Sequence, residues 1–382
     1  MHDRDFAHRP ADRRQRRPER SRAAHGAAAR RVSADAEPLA LRGPQVDAPT
    51  LAYRPKLLPR TPRIALVGCG GIAPTHLQAY ATAGYEVVAL QSRTRARAEQ
   101  LQQTHCPRAR VCDTLDELLA IDGLDAVDLT PHPADRVALI EQAIDRGLPV
   151  LSQKPLAEDL ATAQRLVERA ERAGVPFAVN QNGRFAPHLA WIREAVRAGL
   201  VGDVHTVQVS IRWDHNWVVG TPFDDDPNLL LRDFGIHWFD LVCSLLPGDA
   251  REVEASVTRT PTQRAKPALS GDVEVAFDGA RASLRFDGDA VTEQRDTTTV
   301  LGSRGALQSD GPPLEDQRVV LATADGWCAP KLEGTWFPGG FHGAMAELLD
   351  AAWSGREPLH SARGNLRSLA LCDRAVAASR LT

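Results

Sequence analysis

The chain has 382 residues, of which 43% are hydrophobic and 25% charged, so it is too long for a single small module and has the composition of a folded protein with about two domains. Its formal net charge of -3 leaves no basic excess to support nucleic-acid binding by the whole molecule. Six cysteines without a CxxC pair argue against a disulfide framework and favour a reducing cytoplasm.

The first 60 residues are predicted to form a basic tail and lead-in. They hold 14 Lys/Arg against 7 Asp/Glu, and segment 1–45 has no sustained apolar period, which predicts disorder. No apolar run follows the arginines at 13–17, so an export signal is not expected. Because the most apolar stretch, residues 229–246, contains several charged side chains, the sequence predicts no membrane span.

Residues 61–180 predict an α/β domain with a doubly wound parallel sheet. The apolar run at 63–68 ends in glycine, which is typical of a strand buried on both faces. Further apolar runs alternate with helical stretches after it, as they do in βαβ units. The predicted strands are 86–90, 126–129, 149–151 and 176–179, and the predicted helices are 95–103, 136–146 and 160–173.

Residues 181–382 predict a second domain, of the α+β class. Strands here follow one another with turn signals between them, and Asp278-Gly279 is a tight hairpin signal. A mainly antiparallel sheet with a few helices fits this order. The predicted strands are 204–212, 252–258, 272–277, 282–286, 297–301 and 319–322, and the predicted helices are 234–246, 342–354 and 365–379, the last able to pack back on the first domain.

The segment after the first strand fits the dinucleotide-binding fingerprint G-x-G-x-x-G/A. The first glycine permits a tight turn, the second lets the backbone approach a pyrophosphate, and a small third residue packs the helix on the strand. The N-terminus of that helix then binds the anion. The residues expected to bind the cofactor here are Gly68, Gly70, Gly71, Ile72 and Ala73.

The end of the second strand predicts which dinucleotide is bound. In many dinucleotide-binding domains a carboxylate at this position binds the adenosine ribose. Here the segment is Gln91-Ser92-Arg93-Thr94-Arg95, which contains no carboxylate. A hydroxyl and a guanidinium suit a 2′-phosphate, so Ser92 and Arg93 favour NADP over NAD. Alternatively, Arg93 is a solvated cation at a helix start, and the site accepts both cofactors.

Three further motifs complete a pattern. They are Ser152-Gln153-Lys154-Pro155, the run from Asn180 to Pro187 and the run from Asp233 to Asp240. With the glycine loop, they closely resemble the Gfo/Idh/MocA family, the glucose-fructose oxidoreductase and inositol dehydrogenase group, over residues 62–380. The resemblance implies a Rossmann domain followed by an open antiparallel sheet. It also implies hydride transfer between NAD(P) and a carbinol carbon of a sugar, cyclitol or small diol. We expect a homo-oligomer, a dimer or tetramer, assembled through the C-terminal sheet.

The resemblance assigns roles to individual residues. The family's E-K-P element matches Gln153-Lys154-Pro155, which keeps the lysine near the nicotinamide and replaces the glutamate by an amide. Its D-x-G-x-H element matches Asp233, the orienting partner, and His237, the general base. At Asp135 the sequence departs from the family, which often has histidine there. The cofactor contacts expected beyond the glycine loop and the second strand are Thr130, Pro131, Gln153 and Lys154.

General chemistry supports the same roles. Oxidation of an alcohol requires a group that takes the hydroxyl proton, and histidine titrates nearest to neutral pH. A lysine charge stabilises the developing alkoxide. The alternative for either residue alone is structural, namely a buried histidine satisfied by Asp240 and a surface lysine before a proline.

Tryptophans around residues 213–217 and at 238 indicate a polyol site. The C–H face of a sugar packs on indole rings while its hydroxyls bond to polar neighbours. Ordinary sheet packing or a subunit interface explains these tryptophans equally well. No pair of candidate ligands has the spacing of a metal site, so no metal is expected. The expected substrate-binding residues are Arg184, Trp213, His215 and Trp238.

The sequence therefore predicts an NAD(P)-dependent dehydrogenase or reductase acting on CH–OH groups of a sugar, cyclitol or related polyol. Two rivals remain. One is an NAD-assisted glycosidase, which would show no net cofactor turnover. The other is a regulator that senses NAD(P) without enzymatic activity. Retention of Lys154, Asp233 and His237 argues against the regulator, whereas Gln153 leaves it open.

Overall fold

The computed structural model describes residues 43–382, and their first part is built on a six-stranded parallel sheet. Its strands are β1 (Arg63–Val67), β2 (Glu86–Gln91), β3 (Arg110–Cys112), β4 (Ala126–Leu129), β5 (Val150–Ser152) and β6 (Phe177–Val179). They lie in the order β3-β2-β1-β4-β5-β6, which is that of a Rossmann fold. Alternate side chains of β1 enter different cores, Ile64 on one face and Ala65 on the other. The predicted doubly wound sheet is confirmed.

Five helices flank this sheet. They are α1 (Ala73–Ala83), α2 (Arg95–His105), α3 (Leu115–Leu119), α4 (Pro133–Asp145) and α5 (Leu160–Ala173). Helix α5 has its predicted bounds because the Asp159 carboxylate accepts a hydrogen bond from the Thr162 amide at 2.8 Å and Gly174, with φ of 65°, ends it. Helix α4 begins three residues before the predicted start, since Pro133 fits a first helical turn.

The second sheet has nine strands. They are β7 (Val204–Arg212), β8 (Glu252–Thr258), β9 (Ser270–Ala276), β10 (Arg281–Asp287), β11 (Arg295–Gly302), β12 (Gly305–Gly311), β13 (Arg318–Thr323), β14 (Gly326–Cys328) and β15 (Ser379–Leu381). Their order is β14-β13-β12-β11-β7-β10-β9-β8-β15, and all pairs are antiparallel except β7 with β10 and β8 with β15. Asp278-Gly279 joins β9 to β10, with Gly279 at φ 71°. The predicted hairpin and mainly antiparallel sheet are confirmed.

The remaining helices connect the two sheets. They are α6 (Pro187–Arg197), α7 (Ile236–Leu245), α8 (Gly339–Ser354) and α9 (Ala362–Ala378). Leu348 of α8 packs in the core of the first sheet. In α9, Leu369 packs in the first-sheet core and Cys372 in the second. Helix α7 starts two residues after the predicted position because a π-helical turn, Leu230–Phe234, precedes it.

The lead-in to β1 lies against both parts of the protein. The Trp327 amide donates to the Pro44 carbonyl at 3.0 Å and the Val46 amide donates to the Trp327 carbonyl at 2.8 Å. Tyr53 packs against the core of the second sheet and Leu58 against a core of the first. Residues 44–46 are therefore held beside β14, and the first two of them end the stretch 1–45 that was expected to be disordered. The rest of that prediction, residues 1–42, lies outside the described residues.

One face of the second sheet is covered by α6, α7 and α9, and its other face carries exposed side chains such as those of Gln208 and Arg285. Assembly of copies through this sheet stays a prediction. Within residues 43–382, no helix combines the length and apolar character needed to cross a membrane. The cytoplasmic location stays a prediction.

Candidate active site

The glycine loop lies between β1 and α1, at the carboxyl edge of the first sheet. Gly68 has φ of 94°, and a Cβ there would lie 2.7 Å from both Thr130 Oγ1 and Pro131 Cδ, so a larger residue does not fit. A Cβ on Gly70 or Gly71 would meet nothing within 4 Å. The loop is closed on the side of the protein and open where a pyrophosphate would approach. Thr130 supports it by donating to the Gly68 carbonyl at 2.8 Å.

The N-terminus of α1 is free of side-chain capping. Its N-cap residue, Ile72, makes no side-chain hydrogen bond, and Ala73 is fully buried, which lets the helix start close against the sheet. The amides of Ala73 and Thr75 donate to the carbonyls of Gly70 and Ile72, and Pro74 has no N–H, so it is the helix dipole that favours an anion at this position. The loop and the helix end therefore fit the dinucleotide that the fingerprint predicts.

The adenosine end of this groove contains a carboxylate that the sequence analysis did not place there. The Arg93 side chain is 85% exposed, and its Nη1 donates to Asp135 Oδ1 at 3.1 Å. Ser92 Oγ accepts from the Thr94 amide at 3.3 Å. The carboxylate comes from the start of α4 rather than from the end of β2. It competes with a 2′-phosphate for the same guanidinium.

Lys154 and Asp233 join the part of the chain built on the first sheet to the part built on the second. Lys154 Nζ donates to Asp233 Oδ1 and to the Asp233 carbonyl, each at 2.8 Å. Burial alone would raise the pKa of Asp233, but the charge and hydrogen bond of Lys154 outweigh burial, so the pKa is lowered overall. Asp233 is therefore a carboxylate, and the pair ties the loop after β5 to the π turn before α7.

His237 follows Asp233 by about one turn, at the start of α7. Burial lowers its pKa to about 3; the Lys154 charge acts in the same direction and the Asp233 charge opposes it. Its Nδ1 is buried without a hydrogen-bond partner among residues 43–382. A Cβ on Gly183 would lie 3.6 Å from that nitrogen. His237 is therefore neutral at pH 7 and able to accept a proton.

His215 belongs to the same cluster. Burial lowers its pKa to about 4; the Asp233 charge opposes this shift and the Lys154 charge adds to it. Its ring centroid lies 3.9 Å from that of Phe234, in the π turn that carries Asp233. A second neutral imidazole therefore lies near the lysine. In the described part of the chain, no group of three or more His, Cys, Asp or Glu side chains is arranged to hold a metal ion.

Three tryptophans pack together beside this cluster. Trp213 lies 5.8 Å from Trp238 and 5.9 Å from Trp336 between ring centroids. Trp336, which sequence reasoning missed, is also 5.7 Å from the His237 ring. Trp238 and Trp336 are each only 2% exposed. Their faces are used mainly in packing, which leaves half-buried Trp213 as the ring with free surface.

The indole of Trp213 is hydrogen-bonded to a buried acidic side chain. Its Nε1 donates to Asp296, a residue of β11 that is 3% exposed. Burial raises the pKa of Asp296 to about 7, although the hydrogen bonds from Trp213 and Gln317 lower it. Sequence reasoning missed this contact, because Trp213 follows β7 whereas Asp296 lies on β11, 83 residues later.

Arg184 forms a buried ion pair. Its Nε and Nη2 donate to the two carboxylate oxygens of Asp240, at 2.5 and 2.8 Å, and its Nη1 donates to the Leu359 carbonyl. Ser368 Oγ also donates to Asp240, at 2.8 Å. Asp240 therefore bonds to Arg184 and Ser368 rather than to His237. All three side-chain nitrogens of Arg184 therefore donate to other groups of the protein. This geometry is that of a residue that positions α7. Substrate binding by Arg184 stays a prediction.

Comparisons with known proteins agree with the fold. The model of the Gfo/Idh/MocA oxidoreductase family, described as an NAD-binding Rossmann fold, matches residues 62–181, and the model of the family's C-terminal domain matches residues 189–308. A D-apiose dehydrogenase of Paraburkholderia graminis is 28% identical over 330 residues, which are 81% of this chain and 85% of that protein.

Two further proteins are similar over most of their length. A myo-inositol dehydrogenase of Streptomyces leeuwenhoekii is 30% identical over 287 residues, covering 72% of this chain and 82% of that protein. The crystal structure of an oxidoreductase from Agrobacterium radiobacter, in complex with NAD+, L-tartaric acid and magnesium, shares the fold, with a TM-score of 0.72, 22% identity and coverage of 84% and 96%. The chain belongs to the Gfo/Idh/MocA family of oxidoreductases.

Proposed function

We propose that the protein is an NAD(P)-dependent oxidoreductase that transfers hydride between the nicotinamide and a carbinol carbon of a sugar, cyclitol or related small polyol. The observation that carries this proposal is the contact of Lys154 with Asp233 next to a neutral His237. Alcohol oxidation needs a positive charge and a proton acceptor at one carbon. The relatives named as apiose and inositol dehydrogenases support this class of substrate.

Lys154 is the proposed electrostatic catalyst. An ammonium group has three N–H donors, and two of those of Lys154 are directed to Asp233. The third remains for the oxygen of the substrate. Asp233 fixes the side chain, so the charge is already oriented when the alkoxide develops.

His237 is the proposed proton acceptor. The nicotinamide, when bound, supplies the hydride acceptor or donor. As hydride leaves, the substrate hydroxyl approaches that of a protonated ketone and becomes strongly acidic, so even a weakly basic imidazole takes its proton. The low pKa of His237 is therefore compatible with the role, and it keeps the imidazole neutral across the physiological range.

A substrate screen tests this function. Polyols, aldoses and glycosides, with D-apiose and myo-inositol first, are incubated with NADP and with NAD while the absorbance of the reduced nicotinamide and the release of free sugar are followed. We expect at least one polyol to cause net reduction of the nicotinamide cofactor. Release of sugar from a glycoside without net reduction would favour the glycosidase, and dinucleotide binding without any reaction would favour the regulator.

We also propose that NADP is preferred, because a hydroxyl and a guanidinium, Ser92 and Arg93, follow β2 at the strand end that faces the adenosine ribose in a Rossmann fold. Arg93→Ala should weaken NADP binding about tenfold and NAD binding much less, since a charge-assisted contact contributes about 1.5 kcal/mol or more. The expected loss of NADP affinity lies at the low end of the range for a charge-assisted contact, because Arg93 must first break its hydrogen bond with Asp135. Nucleotide fluorescence titrations measure both affinities.

The matched control for this prediction is Arg97→Ala. Arg97 is an exposed arginine of α2, so its removal changes the net charge equally without removing the proposed phosphate contact. Equal losses of NADP and NAD affinity in Arg93→Ala, or the same selectivity change in Arg97→Ala, would contradict the assignment.

A further inference from the structure

A chain of buried polar side chains leads from α1 to the residue before Lys154. His76 Nδ1 lies 2.6 Å from Asp128 Oδ2, and Tyr80, one turn further along α1, donates its hydroxyl to the same oxygen at 2.5 Å. Asn180 Nδ2 lies 3.3 Å from His76 Nε2 and donates to Gln153 Oε1 at 2.8 Å. His76, Asp128 and Asn180 have no exposed surface. These residues come from α1, β4 and the loops after β5 and β6, so only the tertiary fold assembles them.

The direction of each hydrogen bond in this chain follows from the chemistry of its groups. A carboxylate only accepts, so the short contact requires His76 to donate from Nδ1 to Asp128. A neutral His76 then has Nε2 free to accept from Asn180. The two hydrogens of the Asn180 amino group are thus shared between His76 Nε2 and Gln153 Oε1. Asn180 Oδ1 has no partner among residues 43–382, so the amino group alone orients this side chain.

This directionality leaves Gln153 with its amino group pointing away from the chain of hydrogen bonds. Gln153 Oε1 is used by Asn180, so the outer group is Nε2, which can only donate. A glutamate, as in the family's E-K-P element, would present an acceptor instead. Gln153 follows β5, on the opposite side of β1 from β2 and β3. Because the adenosine half lies toward β2, the nicotinamide half lies toward β5.

We propose that His76, Asp128 and Asn180 are positioning residues that hold Gln153 so that its Nε2 donates a hydrogen bond to an oxygen of the nicotinamide-nucleoside half of the cofactor. The acceptor is either the carboxamide oxygen or a ribose hydroxyl oxygen. This inference rests on the proposed use of NAD(P). It gives the amide that replaces the family's glutamate a defined role as a neutral donor beside Lys154.

Dinucleotide affinity tests the proposal without measuring turnover. Gln153→Ala should weaken binding of the preferred dinucleotide about 3- to 10-fold, the range for one hydrogen bond. Asn180→Asp keeps the size of the side chain but replaces the donor by an acceptor that repels Gln153 Oε1, so it should weaken binding at least as much. The double variant Gln153→Ala/Asn180→Asp should bind within about twofold of Gln153→Ala, because Asn180 acts through Gln153.

The matched control is Asn182→Asp, the same change in a buried asparagine two residues away that accepts from Trp336 at 2.7 Å. Whatever fold-loss of dinucleotide affinity Asn182→Asp causes, its combination with Gln153→Ala should show the product of the two single losses, because Asn182 does not act through Gln153. ADP-ribose, which keeps the ribose and lacks the nicotinamide, identifies the acceptor: a persisting loss assigns the ribose and a vanishing loss assigns the carboxamide. The proposal would be overturned if the double variant Gln153→Ala/Asn180→Asp lost dinucleotide affinity by the product of the two single losses. It would also be overturned if Gln153→Ala bound the dinucleotide with wild-type affinity.

A second measurement uses the unaltered protein. In a 15N-histidine spectrum, with His76→Gln for assignment, His76 should be the neutral tautomer protonated at Nδ1. A His76 protonated at Nε2, alone or together with Nδ1, would overturn the proposal, since Asn180 would then have to turn its oxygen toward His76. Wild-type protein that binds no dinucleotide would instead contradict the proposed function, which separates the two failures.

Discussion

Replacement of His237 by alanine is expected to lower kcat by about 10²- to 10⁴-fold while dinucleotide affinity changes little. A positioned acid or base contributes about this factor in the chemical step. His237 carries no charge that would bind the cofactor, since burial and the Lys154 charge lower its pKa to about 3. The variant therefore separates catalysis from binding.

The same reaction should be equally sensitive to Lys154→Ala. The Lys154/His237 double variant should lose less than the product of the two single losses, because both groups act on one proton transfer. His205→Ala, which removes an exposed histidine of β7, serves as the control and should leave kcat unchanged. Steady-state kinetics on the best polyol, with nucleotide fluorescence for affinity, measures each variant. Turnover of His237→Ala within a few-fold of wild type would reject the base assignment and make His215 the next residue to test.

Replacement of Arg184 by alanine is expected to lower the free energy of unfolding by about 3 to 5 kcal/mol. The change leaves the Asp240 carboxylate, whose side chain is 2% exposed, without its counter-ion in a buried place. It also removes the hydrogen bond to the Leu359 carbonyl, which ties the turn before α6 to the segment before α9. Urea unfolding followed by circular dichroism measures the loss, with melting temperature as a second readout.

An exposed ion pair supplies the control for Arg184. Arg169 bonds to both oxygens of Asp145, and the two side chains are 41% and 56% exposed. Arg169→Ala should change stability by no more than about 1 kcal/mol, because water replaces an exposed partner. The double variant Arg184→Met/Asp240→Leu should be more stable than Arg184→Ala, since it leaves no unpaired charge. An Arg184→Ala loss no larger than that of Arg169→Ala would show that Asp240 is hydrated.

The sequence by itself determined the elements whose signals are local. The run from Arg63 through Ala73 specifies strand, turn and helix start because a buried apolar run, glycines with their freedom of backbone and a small helix residue follow one another directly. The Asp159 cap and Gly174 set both ends of α5, and Asp278-Gly279 sets the turn after β9. In each case, the determining contacts lie within about four residues of one another.

The tertiary structure decided which distant side chains meet. The structural alternative for His237 paired it with Asp240, but Asp240 bonds to Arg184, because the turn before α6 and helix α9 both pack against α7 and bring Arg184 and Ser368 to it. Strand β12, which carries few apolar residues, forms because β11 and β13 supply its hydrogen bonds. Arg93 and Asp135 lie 42 residues apart and still form an ion pair. Periodicity and turn propensity act only on neighbours in sequence, whereas these partners depend on the crossing of elements far apart in the chain.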